Sequence, residues 1–170
     1  MRIEQLMSKP AVTCGQHDSL NTAAQLMWEY DCGAVPVLGD EGTVVGLLTD
    51  RDICMAAYTQ GKPLQAIPVS RAMGKQVFSC HPDEAIEAAE QLMTEHRIRR
   101  LPVVDGEGRP VGLLSLNDVA RDAASSRAGN GAQREVARTL AAICQPRLHG
   151  NQRSRQAPAR TGQELVIAAR

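Results

Sequence analysis

The chain has 170 residues, of which 43% are hydrophobic, 22% charged and 2% aromatic, with a formal net charge of zero. That length suits one compact domain or two small repeats. With only Trp28, Tyr30, Tyr58 and Phe78 as aromatics, the core must be aliphatic, and the stacking platforms that bind single-stranded nucleic acid find no support.

Internal similarity organises the rest. At an offset of 66, Met7–Ile53 lies on Met73–Val119 without a gap. Gln25-Leu26-Met27 falls on Gln91-Leu92-Met93, Pro36-Val37 on Pro102-Val103, and Val45-Gly46-Leu47-Leu48 on Val111-Gly112-Leu113-Leu114. Each copy opens with a predicted short strand, Ala11–Cys14 or Val77–Cys80. A helix follows, with apolar residues at Leu20, Ala23, Ala24 and Met27, or at Ile86, Ala89, Leu92 and Met93, which is helical spacing. Asp18-Ser19 and Pro82-Asp83-Glu84 are its start signals. Strands are predicted over Ala34–Leu38 and Leu101–Val104, then turns at Gly39–Gly42 and Asp105–Gly108, then strands over Thr43–Leu48 and Pro110–Leu114. A last helix starts after Thr49 or Ser115. The fold class is α+β: two β-α-β-β-α repeats, packed sheet to sheet, plus a C-terminal basic tail. The domains are residues 1–60, a linker over 61–70, residues 71–122, and a tail over 123–170. Within the tail, Ala123–Gly131 reads as a small-residue spacer. Arg134–Gln145 reads as an amphipathic helix with Val136, Leu140 and Ile143 on one face, and Pro146–Gly162 as disordered.

The balanced charge hides an asymmetry. Residues 1–120 contain ten Lys and Arg against sixteen Asp and Glu, while residues 121–170 contain nine Arg against three acids. The body is acidic and the tail basic. No apolar run reaches the roughly eighteen residues of a membrane span. Met1-Arg2-Ile3-Glu4 lacks a secretory pattern. The expected location is the cytoplasm, without a membrane partner. Cys14, Cys32, Cys54, Cys80 and Cys144 have no C-x-x-C or zinc-ligand spacing, so they are expected to be reduced and mostly buried. His17, His81, His96 and His149 show no ligand spacing either, and no metal site is expected; His96 could at most assist phosphate binding. Met7, Met27, Met73 and Met93 read as core, and Trp28 and Tyr30 as interface or core.

The informative segments are Gly46-Leu47-Leu48-Thr49-Asp50-Arg51-Asp52 and Gly112-Leu113-Leu114-Ser115-Leu116-Asn117-Asp118. Both sit where a strand gives way to a helix. Thr49-x-x-Asp52 and Ser115-x-x-Asp118 resemble the capping box, in which hydroxyl and carboxylate satisfy free backbone N–H groups. Capping leaves room for a ligand. A carboxylate has about four acceptor sites, enough for the vicinal hydroxyls of a ribose, and a helix N-terminus attracts an anion. Arg99 and Arg100 abut a buried-type strand, where a guanidinium calls for an anion or for solvent. The first copy has Gly33 and Ala34 there.

On Pro36-Val37, Pro102-Val103, the paired Gly-x-x-Thr/Ser-x-x-Asp segments and their spacing, residues 1–122 resemble a tandem pair of CBS (cystathionine β-synthase) domains, also called a Bateman module. The resemblance implies a pseudo-twofold disc with two clefts that take adenosyl compounds: AMP, ADP, ATP, sometimes NAD or S-adenosylmethionine. Carried over, one cleft contains Thr13, Arg99, Arg100, Ser115, Asn117 and Asp118, with Asp118 on ribose and Ser115 and the arginines on phosphate. The other contains Ser79, Thr49, Arg51 and Asp52, with Arg51 on phosphate; Gly33 and Ala34 leave that second cleft poorer in cations and roomier for a purine. The resemblance also implies a homodimer through the exposed faces of the helices starting at Leu20 and Ile86.

The expected function is a regulatory module that binds an adenine nucleotide and signals to a protein partner through a conformational shift. No catalytic residue or catalytic cofactor is expected. A ligand-free scaffold or dimerisation module is one alternative. Nucleic-acid binding through Arg147, Arg153, Arg155, Arg160 and Arg170 is another, set behind a solvated tail; nucleic acid is not the expected partner.

Overall fold

The computed structural model describes residues 1–125 and 130–143. The first repeat comprises β1 (Cys14–Gly15), α1 (Leu20–Glu29), β2 (Ala34–Leu38), β3 (Val44–Thr49) and α2 (Asp50–Gln60). The second comprises α3 (Ile86–His96), β4 (Arg100–Val104), β5 (Pro110–Ser115) and α4 (Leu116–Ser125), and α5 (Asn130–Ile143) follows. In the first sheet β1 runs parallel to β2, and β2 antiparallel to β3. In the second, β4 and β5 are antiparallel, and Cys80 bridges Val103 in parallel where β1 lies in the first. The hairpin turns place Gly42 and Gly108 at φ 75° and 78°, a left-handed conformation that glycine adopts without steric cost.

α1 buries Leu20, Ala23 and Met27, and α3 buries Ile86, Ala89 and Met93, one stripe of each helix at spacings of three and four. Ser19 caps α1 by accepting from the Thr22 N–H at 3.1 Å. The start of α3 differs from expectation: its N-cap is Ala85, without a side-chain cap, and Pro82-Asp83-Glu84 lies just upstream.

The opening strands are shorter than predicted. Only Cys14–Gly15 and Cys80 pair with the sheet of their own repeat, because the residues before them cross to the opposite repeat. Ser8 pairs with Leu113 of β5, and Gly74 with Leu47 of β3. Further upstream, the Ile3 N–H donates to the Glu84 carbonyl at 3.0 Å, and the Val69 N–H to the Asp18 carbonyl at 2.8 Å. Ile3 is fully buried in the core of the second repeat, and Ile67 and Val69 in that of the first. The segment 61–70 is therefore more than a linker. It carries the 3-10 helix Leu64–Ala66, leads into another at Val69–Arg71, and supplies two core residues.

Glycine permits this crossing. A Cβ on Gly112 would stand 2.6 Å from Met7 Sδ and 2.9 Å from the Ser8 carbonyl oxygen; one on Gly46 would stand 2.6 Å from Met73 Sδ. These are closer than real contacts allow, so the Gly-Leu-Leu pattern of each strand accommodates the other repeat's leading segment.

The C-terminal region departs from expectation in two ways. α4 continues to Ser125, into the predicted spacer, and α5 begins at Asn130 rather than Arg134. On α5, Val136, Thr139 and Ile143 are buried while Leu140 is 39% exposed, so the buried stripe passes through Thr139. Val136 and Ile143 join the second core. Residues 144–170, with the predicted Arg tail and Cys144, lie outside the described residues. Among the described residues no helix is long and apolar enough to cross a membrane.

Cys14 and Cys80 are buried, Cys32 is half-buried and Cys54 exposed. Burial, reinforced by Asp18 near Cys14 and Glu84 near Cys80, pushes both buried thiols up to about 12 from an ordinary 9.0. Ionised thiols in the unfolded chain then favour unfolding above pH 9, so the stability these groups contribute is complete below that value and declines as pH rises toward 12. Urea melts across that range should show the decline, and Cys14→Ala/Cys80→Ala should flatten it. Alkylation of the native protein, read by peptide mass spectrometry, should mark Cys54 first and Cys14 and Cys80 only on unfolding. Truncating the crossing residue, Ile3→Ala, should cost about 2–5 kcal/mol in a denaturant melt, whereas an N-terminus packed only loosely would leave the midpoint unchanged.

Candidate functional site

A cavity of about 720 Å³ lies between the repeats, within the usual range of small-molecule sites, about 300–1,000 Å³. The first repeat contributes Pro10, Ala11 and Val12 from the crossing segment, and Tyr30–Ala34 from the end of α1 into β2. The second contributes Arg100 from β4, Leu113 and Ser115 from β5, and Asn117, Asp118 and Arg121 from α4.

Of the six residues expected in the first cleft, Arg100, Ser115, Asn117 and Asp118 line this cavity, while Thr13 and Arg99 do not. Val12, next to Thr13, is the lining residue. Arg99 precedes β4, and its carbonyl accepts from the Leu116 N–H at 2.9 Å. Gly33 and Ala34 also depart from expectation: they line the Asp118 cavity, beside Arg100, rather than the opposite cleft. The turn from α1 into β2 brings them there, and a Cβ on Gly33 would stand 2.8 Å from an Arg100 terminal nitrogen. Glycine at 33 thus leaves the guanidinium its position.

Asp118 is 5% exposed. A carboxylate so enclosed needs partners, and it has them. One oxygen accepts from the Ser115 N–H at 2.8 Å and the Ser115 hydroxyl at 2.5 Å. The other accepts from the Arg121 guanidinium. Ser115 Oγ accepts in turn from the Asp118 N–H at 3.3 Å, which completes the capping box. Arg121 is 76% exposed at its side chain, so its half of the ion pair is held weakly. By contrast, Arg100 makes no hydrogen bond or ion pair among the described residues, and the nearby carboxylate of Asp50, 3.2 Å from the Cβ position of Gly33, is not within bridging distance. Burial raises the Cys32 thiol above its ordinary value, opposed by its bond to Ala34 and by the Arg100 charge.

The residues expected in the second cleft are not gathered in the same way. Thr49 and Asp52 form the matching capping box: the Thr49 hydroxyl donates to Asp52 at 2.6 Å and accepts from the Asp52 N–H at 3.2 Å. Asp52 also lines a hollow of about 190 Å³ with Thr59 and Arg71. Arg51 and Ser79, both exposed, line neither that hollow nor the larger cavity.

Tyr30, Cys32 and Arg121 also line the cavity, beyond the site residues that the sequence suggests. Arg121 was legible as an i,i+3 partner of Asp118 on a helix. Tyr30 and Cys32 enter only because α1 ends at the cleft mouth, which no local pattern announces.

The CBS domain family model matches residues 3–58 and 69–125. The chain belongs to the CBS-domain family. It is 36% identical over 130 residues to the CBS domain-containing protein YhcV of Bacillus subtilis, covering 76% of this chain and 91% of that protein. It is 36% identical over 111 residues to Hypoxic response protein 1 of Mycobacterium tuberculosis, covering 65% and 77%. Among solved structures, the CBS domain pair of protein MJ0100, in complex with 5′-methylthioadenosine and S-adenosyl-L-methionine, superposes with a TM-score of 0.65 at 26% identity, covering 71% of this chain and 94% of that one. Hypoxic Response Protein I with two coordinated zinc ions superposes with a TM-score of 0.64 at 31% identity, covering 71% and 98%. Among the described residues of this chain, no three His, Cys, Asp or Glu side chains are grouped to hold a metal ion.

Removing the hydroxyl of the α4 cap, Ser115→Ala, should lower stability by about 0.5–2 kcal/mol in a denaturant melt. It should also fray the first turn of α4 in amide exchange. Unchanged protection there would show that the capping box contributes nothing.

Proposed function

We propose that this CBS pair is a regulatory, non-catalytic module that binds an adenosyl ligand of the AMP, ADP or ATP class in the cavity between its repeats. The observation that carries the reading is Arg100: a guanidinium without a partner among the described residues, lining the same cavity as the Ser115/Asp118 helix start. A cation and a helix N-terminus on one cavity suit a phosphate. Asp118 suits the ribose. To free its second oxygen for a sugar hydroxyl, the exposed Arg121 swings from the carboxylate toward the phosphate. Small lining residues, Ala11, Gly33 and Ala34, leave room for a purine.

The bound ligands of the MJ0100 pair support the adenosyl class. The unpaired Arg100 favours an anionic member of that class over the sulfonium of S-adenosylmethionine. A ligand spanning both repeats binds best in one relative orientation of them, and it shifts the population by that difference in affinity. A homodimer and a regulated protein partner are the proposed readers of the shift.

Equilibrium dialysis of the purified protein should show AMP or ATP bound more tightly than S-adenosylmethionine. Arg100→Gln should weaken AMP binding about tenfold or more, since a hydrogen bond to a charged group is worth about 1.5–3 kcal/mol. Equal affinity in wild type and variant would remove Arg100 from the site. No binding of any adenosyl compound would leave a scaffold.

A further inference from the structure

The duplication places different side chains at equivalent points of the two clefts. Val12 and Tyr30, which line the cavity, correspond at the 66-residue offset to Phe78 and His96. The rings of Phe78 and His96 are stacked, with centroids 3.7 Å apart and planes 18° from parallel. Phe78 is half-buried against the second core.

The offset holds in space as well as in sequence. The bridge Ser8–Leu113 maps onto Gly74–Leu47, and Arg2–Ala85 onto Pro68–Ser19. The chain leaves α1 through Asp31 at φ 47° and α3 through Arg97 at φ 52°. The stacked rings therefore belong to backbone positions equivalent to those of Val12 and Tyr30, which line the Asp118 cavity. Gly33, whose missing side chain gives Arg100 its room, corresponds to Arg99, which carries a long side chain at the equivalent position.

We propose that the Phe78–His96 stack is a resident plug of the second cleft, so that the chain takes one ligand, in the Asp118 cavity, rather than two. The two planar rings supply the second cleft with the flat packing a purine would otherwise provide. Phe78 is thus a specificity-determining residue that acts by occupancy. The inference rests on the proposed adenosyl ligand for its readout, but the plug is a separate claim.

Calorimetric titration with AMP, and in parallel with S-adenosylmethionine, tests it. Wild type should bind one equivalent per chain. Phe78→Val, which installs the first repeat's residue, should bind two, as should His96→Ala, which removes the other half of the stack without touching the core-facing ring. Wild type binding two equivalents overturns the plug. So does a variant that melts cooperatively yet still binds one; should Phe78→Val not fold, His96→Ala decides. Should wild type bind neither compound, the functional reading fails. The plug is then judged on the crystal structure of Phe78→Val or His96→Ala: a cavity opened beside Thr49 and Asp52 supports it, and a collapsed cleft overturns it.

Discussion

Ile3 fills the core of the second repeat, and Ile67 and Val69 fill that of the first, so each hydrophobic core is completed by the residues that precede the other repeat. Everything else in the architecture follows from this exchange. A repeat of about fifty residues buries so little of its surface that it is marginal alone. Here each repeat borrows part of its interior, and burying an Ile side chain contributes about 1.5–3 kcal/mol. The borrowed residues arrive with backbone hydrogen bonds. The first N–H of α1 donates to the Ile67 carbonyl at 2.9 Å, and that of α3 to the Met1 carbonyl at 3.1 Å. Orphan donors at two helix starts are thus satisfied by the opposite leading segment, and folding of the two repeats is coupled.

The same exchange builds the cleft. Carrying residues 8–12 across to β5 lays Pro10, Ala11 and Val12 beside the start of α4, so a wall of the first repeat meets the capped helix end of the second. The shape of a cavity assembled this way depends on the relative position of the repeats, because neither repeat contains it. Asp118 illustrates the balance between stability and binding. Its carboxylate is enclosed and bonded to Ser115 on one side, which fixes it, and on the other it meets an exposed arginine, which a ligand can replace at little cost.

Much of this was legible in the sequence because the duplication constrains it. The 66-residue offset, the β2–β3 and β4–β5 hairpins and the Thr49/Asp52 and Ser115/Asp118 pairs are local patterns, and local patterns survive into the structure. What could not be read is set by the crossing. Residues 61–70 look like a linker because Gly61, Pro63 and Pro68 punctuate them, yet Ile67 and Val69 between them are core. Thr13 and Val12 are adjacent, and which of them faces the cavity depends on where the strand begins to pair, which is Cys14. On α5, an apolar stripe through Leu140 is the sensible reading of periodicity, but the helix lies so that Thr139 is turned inward and Leu140 outward. Tertiary placement outranks the hydrophobic count there.

The two repeats share a template and have diverged in opposite directions. The second is the more heavily packed half: Phe78 and His96 stack at the positions equivalent to Val12 and Tyr30, α5 packs on α3 and α4, and Val136 and Ile143 extend its core. The first is the open half. Ala11, Gly33 and Ala34 among its cleft residues are small, and its helices leave Trp28 87% and Tyr58 81% exposed. Symmetry in the backbone makes the domain foldable, since the same hydrogen bonds close both cores. Asymmetry in the side chains gives it a direction: one cleft open, one helix pair covered. A symmetric pair with two identical clefts would respond to a ligand by tightening both sides alike. On the proposed reading, with one side filled, a ligand at Asp118 would act on one side of the pair alone, and would favour whichever relative orientation of the repeats it binds more tightly.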